Sequence, residues 1–334
     1  MSSEINITEH IKLAEEGNSE SQNILGDYYY DKKSPEHDFE KAFKWYKKAA
    51  EAGDVDAQYS LAFCYKEGIG VEKDAYKAFE WFKKSADAGN KSALYPTGAL
   101  YYEGEGVDQD LLKAVEYFKK AADHGDTDAQ NHLGICYKNG YGVSQNLAKA
   151  IECFKKSADA GDSNAQFNLA RHYLLGDGVE ENIAECFRLL NPSANMGHDM
   201  ALMLLGTFYL EGKCVVAQDL AKAIELFYKA AERGNLHAIR LLTRVHRQAK
   251  SVAFENLSIK QTESILERFK EHKVGGKRKI AKNLEKLSQM YNNGEFNDII
   301  KQADDSLRDA VIFSVQANNI NLIGGDQYNI HLAQ

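Results

Sequence analysis

Three features of this chain have the residue types and spacing that metal or phosphate chemistry uses. His132 and Cys136 stand at i and i+4, on one side of a helix, and His172 falls in the register of Cys136 one 36-residue period later. Two imidazoles and a thiolate form a set that zinc accepts. The alternative is three ordinary core and groove residues. The segment G-x-G-V recurs at Gly68/Gly70, Gly104/Gly106, Gly140/Gly142 and Gly176/Gly178. A glycine loop of this kind cradles phosphate when it follows a strand. Here it follows helical patterns and repeats at a fixed interval, so a structural turn is expected. The five cysteines, at 64, 136, 153, 186 and 214, show no CxxC and no regular pairing, which reads as free thiols in a reducing compartment. No Ser-His-Asp spacing, HExxH or paired-carboxylate motif occurs, so no catalytic residue, metal or cofactor is assigned.

What must position any such residue is a repeat. Taking the glycine of A-x-x-G as marker, Gly17, Gly53, Gly89, Gly125, Gly161 and Gly197 follow one another at steps of 36 residues, and Gly234 comes after a step of 37. A fixed period of this length is the signature of a solenoid, in which each unit buries its apolar face against its neighbours. One unit decodes as two helices. Asp54 is placed to cap the first, whose inner face carries Ala57, Leu61 and Tyr65 and which ends at Gly68. The second starts near Asp74, turns Ala78, Phe79 and Phe82 inward, and carries Lys83 and Lys84 near its C-terminal end, where cations suit the helix dipole. Small residues at Ala57, Ala93, Ala129, Ala165 and Ala201 let neighbouring helices approach, and aromatics at Trp45, Trp81 and Tyr117, and at Tyr46, Phe82, Phe118 and Phe154, fill the remainder. Pro96 stands where helix interior is expected and predicts a kink or a late helix start. The first unit has KKSPEHD in place of its glycine loop, and the fifth loses the basic end of its second helix to Asn191-Pro192. Both mark places where the array departs from regularity.

The pattern A-x-x-G-[DN]-x-x-A-Q-x-x-L-[GA]-x-x-Y-x-x-G-x-G-V, followed by K-A-x-x-W-F-K-K-[AS], resembles the Sel1-like repeat, a relative of the tetratricopeptide repeat. The resemblance covers roughly residues 14–247. It implies an all-α, right-handed α/α superhelical solenoid of about six helix-turn-helix units whose concave side holds other proteins, in adaptor and scaffold roles. It implies no catalytic residue. The competing class is a hydrolase of the cysteine-rich bacterial type, but those members carry regularly spaced cysteine pairs and an export signal that this sequence does not show.

Partner specificity is expected where the repeat is least regular. On the first helix of each unit, the positions turned away from Leu61 and Tyr65 vary from unit to unit. They place Tyr59, Phe63, Tyr95, Asn131, His132, Phe167 and Arg171 on one side of the array, an aromatic anchor site for a protein or peptide partner. The alternative is that these side chains pack between adjacent first helices.

With 44% hydrophobic and 27% charged residues and no apolar run long enough to span a membrane, the composition is that of a large globular chain. The acidic N-terminal stretch lacks the basic and then apolar pattern of a signal peptide, which predicts a cytoplasmic protein. Residues 1–247 hold 29 Lys+Arg against 38 Asp+Glu, a net of −9, so nucleic acid is an unfavourable partner. The expected organisation is an N-terminal cap over 1–13, the solenoid over 14–247, a helical C-terminal region over 248–317 that caps the array, and an extended tail over 318–334. Within the third of these, Lys273 to Lys286 hold six Lys+Arg and one Glu, a solvated helix face or a site for an anionic partner.

The tail sequence NNINLIGGDQYNIHLAQ alternates apolar and amide side chains. Ile320, Leu322, Tyr328 and Ile330 fall on one face of a strand, and Gln327 and Asn329 can form amide ladders between stacked copies. The segment Ile323-Gly324-x-x-Gln327, with Ile330, partly resembles the RIP homotypic interaction motif, although Leu322 replaces its Gln and Gln327 its Asn. That resemblance implies tail-mediated, amyloid-like homotypic assembly in signalling. The alternatives are a hairpin folded back on the cap or a frayed chain end.

Overall fold

The computed structural model describes residues 7–212, 216–217, 219–238 and 242. The C-terminal region 248–317, the tail with Ile320, Leu322, Ile323, Gly324, Gln327, Tyr328, Asn329 and Ile330, and Cys214 all lie outside the described residues. Among those described there are helices and turns but no strand. They fall into two compact units, divided in the chain between Ala160 and Gly161.

The first unit runs α1 (Ile7–Glu15), α2 (Ser19–Tyr30), α3 (Phe39–Glu51), α4 (Val55–Glu67), α5 (Ala75–Asp87), α6 (Leu94–Glu103), α7 (Leu111–Asp123), α8 (Thr127–Asn139) and α9 (Leu147–Asp159). The second runs α10 (Ser163–Leu175), α11 (Ile183–Asn195), α12 (Asp199–Glu211) and α13 (Leu220–Glu232). Even-numbered helices are the first, or A, helices of the repeats, and α3, α5, α7, α9, α11 and α13 are the B helices. Each A helix packs on the B helix that follows it.

Capping defines the helix boundaries. Asp54, Asp126 and Asp162 accept hydrogen bonds at their side chains from the amides of Ala57, Ala129 and Ala165. Asp74, Asp110, Asn146 and Asp219 do the same for Lys77, Lys113, Lys149 and Lys222 at the start of the B helices. Each such cap is worth about 1 kcal/mol. The amides of Asp74, Asp110 and Asn146 also donate to the carbonyls of Tyr65, Tyr101 and Tyr137, which closes the turn inside each repeat.

Polar side chains tie the repeats together. Gln22 and Gln58 donate from Nε2 to the carbonyls of Ala14 and Ala50 near the end of the preceding helix. These carbonyls also accept from the amides of Gly17 and Gly53, so the glutamine adds a second bond at the helix end. Ser85 and Ser157 donate to the carbonyls of Val55 and Thr127, and Ser193 to Ser163, so the ends of α5, α9 and α11 are bonded to the starts of their own A helices. Between these ties the core is apolar: Leu25, Leu61, Phe82, Phe118 and Phe154 are fully buried in the first unit, and Leu190 and Phe227 in the second. Trp45 and Trp81 pack against this core from its edge, with Lys48 and Lys84 lying 4.3 and 4.5 Å over their rings.

The G-x-G-V loops are packing devices. A Cβ on Gly142, whose φ is +64°, would stand 2.1 Å from the carbonyl oxygen of Leu111 in the preceding repeat. The loop therefore lies directly against the first turn of α7.

The irregular units resolve in three ways. Residues Lys91–Ala93 form a 3-10 turn and α6 starts at Leu94, the late start that Pro96 requires, because a proline in the first turn forfeits no intrahelical bond. The first repeat turns through Asp31 to Asp38 without glycine, on bonds from the Lys33 and Glu36 amides to the side chains of Asp31 and Ser34. The helix α11 runs through Pro192 without a break, and Asn191 donates its side-chain amide to the Phe187 carbonyl.

Candidate partner-binding face

Within the first unit the variable positions of the A helices are less exposed than their spacing suggests. Tyr59, Phe63 and Tyr95 are half buried and pack against the core. Tyr59 meets Phe82 of the next helix edge to face at 5.4 Å between ring centroids, and Tyr95 lies 5.9 Å from Phe118. Asn131, expected on the open face, is 4% exposed. The reason is the small cross-section of each unit: the A helix is flanked by two B helices, and the residue next to the inner face reaches the groove between them.

The aromatics and His132 form one cluster. The His132 ring lies 5.3 Å from both Tyr95 and Phe118 and 6.1 Å from Tyr102, and Tyr102 lies 6.2 Å from Tyr141. The His132 Nδ1 is 3.4 Å from the Tyr95 hydroxyl and 3.0 Å from the Asp128 carbonyl oxygen. Burial raises the Tyr59 hydroxyl above the usual tyrosine range, and the Asp126 carboxylate at the start of α8 adds to that rise. The hydroxyl on α4 thus senses a charge on α8, across the intervening α6.

In the second unit Phe167 is 8% exposed, not open to solvent. Its ring stacks on His198 at 4.6 Å, with the Arg171 guanidinium 6.0 Å from its centroid. His198 replaces the usual Asp or Asn cap, its Nδ1 accepting from the Ala201 amide at 3.2 Å. Burial holds the ring below the ordinary imidazole range.

The Sel1 repeat family matches this geometry in six consecutive segments, residues 19–54, 55–90, 92–126, 127–162, 163–198 and 199–235. The chain belongs to the Sel1 repeat family. Among solved structures it is similar to a Sel1 repeat protein from Oxalobacter formigenes, at 30% identity and a TM-score of 0.61, over 68% of this chain and 100% of that one. It is also similar to c5321, a protective antigen of uropathogenic Escherichia coli strains with an SLR fold, at 27% identity and a TM-score of 0.62. That match covers 96% of this chain and 65% of the length of the antigen. No curated protein matches the chain. Sel1 repeat proteins are protein-interaction scaffolds, and the repeats here are helix-turn-helix units of that kind.

Placed on the Sel1 repeats, the candidate metal ligands serve packing. Cys136 is fully buried, His132 belongs to the ring cluster, and His172 is 4% exposed with its Nδ1 2.8 Å from the Asp177 carbonyl oxygen. Among the described residues no group of three or more His, Cys, Asp or Glu side chains converges. Cys64, Cys136, Cys153 and Cys186 are free thiols. Burial pushes Cys64, Cys136 and Cys186 up to about 12 and Cys153 up to about 11, so none is poised as a nucleophile at neutral pH. Among the described residues no helix is long and apolar enough to cross a membrane.

Sequence reasoning missed Tyr102 and Phe118 as neighbours of His132, and Tyr141 as the neighbour of Tyr102. They lie on α6, α7 and the loop after α8, and only the packing of successive repeats brings them together.

Proposed function

We propose that this Sel1 repeat chain is a non-enzymatic scaffold that holds a protein or peptide partner on the A-helix face of its first unit, around Tyr59, Phe63, Tyr95, Asn131 and His132, with Phe167 and Arg171 marking the corresponding face of the second. The observation that carries this reading is the row of half-buried rings on successive A helices. Large side chains with one edge packed and one edge accessible make rigid anchors, because little side-chain entropy is lost when a partner covers them.

The test is a peptide-display selection on the full chain, repeated with Ser60→Trp, which fills the half-buried position beside Tyr59. Selected peptides should lose at least about 2 kcal/mol of binding to Ser60→Trp, the size of one hot-spot anchor, with helical content unchanged. Peptides that bind both proteins equally would remove the A-helix face from the reading. The tail over 318–334 is proposed as a separate assembly element, on the strength of its alternating apolar and amide residues. Deleting it should abolish concentration-dependent thioflavin-positive assembly, and assembly that persists without it would refute that role.

A further inference from the structure

Charge is divided between the two helix rows of the first unit. The A helices α2, α4, α6 and α8 carry six carboxylates against two lysines, and their caps Asp54 and Asp126 add two more. The B helices α3, α5, α7 and α9 carry eight carboxylates against thirteen lysines, and their caps Asp38, Asp74 and Asp110 add three carboxylates. On the B row, Lys77 pairs with Asp74 and Lys113 with Asp110, and their ammonium groups lie 5.3 and 5.2 Å over the Tyr65 and Tyr101 rings. On the A row the opposite polarity appears. Tyr59, Tyr95 and His132 are half buried, and Asp126 and Asp128 stand at the start of α8, Asp128 exposed and one helical turn before His132. Rings flanked by carboxylates suit a cation with an extended flat surface, because a guanidinium can stack on a ring and pair with a carboxylate at once.

Resting on the partner-binding reading above, we propose that the A-helix face of the first unit takes a basic peptide segment, with an arginine side chain seated against Tyr59, Tyr95 and His132 and paired with Asp126 and Asp128. The excess of carboxylates on the A row draws such a segment toward it, whereas the B row carries a small excess of lysine. An acidic partner would meet like charge at the same rings.

The experiment titrates the full chain with a fluorescent peptide of arginine and leucine, and with its counterpart bearing glutamate in place of each arginine. The arginine peptide is expected to bind at least about tenfold more tightly at physiological salt. Asp126→Asn with Asp128→Asn, which keeps a capping side chain at 126, should weaken it about fivefold. Glu180→Gln with Glu181→Gln in the second unit should leave it unchanged. Equal binding of the two peptides, no binding of either, or indifference to the asparagine pair overturns the inference. A gain in affinity when Lys277, Arg278 and Lys279 are changed to serine would support the inference and name the chain's own basic stretch as a competing occupant. If the glutamate peptide binds and Ser60→Trp blocks it, the face stands as the partner site and only the charge preference falls.

Discussion

Gly142 and Gly125 should respond differently to the same substitution. Both have positive φ, +64° and +86°. A Cβ at Gly125 would meet nothing within 4 Å, whereas at Gly142 it would stand 2.1 Å from the Leu111 carbonyl oxygen, 2.5 Å from its carbon and 3.0 Å from the Leu112 nitrogen. Alanine in a left-handed conformation costs about 1–2 kcal/mol, partly offset by about 0.4–1 kcal/mol from a less flexible unfolded chain. Gly125→Ala should therefore destabilise by about 1 kcal/mol. At Gly142 the obstacle is backbone in the first turn of α7 and cannot rotate away, so overpacking adds about 1–3 kcal/mol and the total is about 3 kcal/mol. Because repeats couple to their neighbours, the loss should concentrate in α7 and α8, where native-state hydrogen exchange would detect faster opening alongside a lower urea midpoint. If Gly142→Ala and Gly125→Ala lower stability equally, the loop does not pack on α7 and the structural account of G-x-G-V is wrong.

Leu133→Ala should destabilise by about 2–5 kcal/mol in urea titration, since Leu133 is buried in the register of Leu25, Leu61, Leu169 and Leu205, and a change under about 0.5 kcal/mol would mean that this helix face is misassigned. Stability should also fall as pH rises above about 9. The buried thiols of Cys64, Cys136 and Cys186 hold their protons up to about 12 against an ordinary value of 9.0. Unfolding in that window releases protons, so stability present below 9 is lost on the way to about 12. The fall should shrink in Cys64→Ala/Cys136→Ala measured against the same protein near neutrality, and an identical pH profile would refute the attribution.

Much of the fold was legible because a solenoid is a local structure. The period, the caps Asp54 and Asp74, the inner Leu61 and Phe82, and the late start imposed by Pro96 all follow from contacts within one repeat or between neighbours, which a 36-residue recurrence exposes directly. What helical spacing could not decide was how far the turned-away positions are covered. Tyr59 and Tyr95 sit half in the groove, and Asn131 and Phe167 are buried, because the B helices rise beside each A helix by an amount set by the side chains between them. The cluster of Tyr95, Tyr102, Phe118, His132 and Tyr141 likewise exists only once α6, α7 and α8 are packed. Sequence periodicity determines which side of a helix a residue occupies; tertiary packing alone decides what that side meets, since inter-helix distance depends on the volumes of side chains contributed by different repeats.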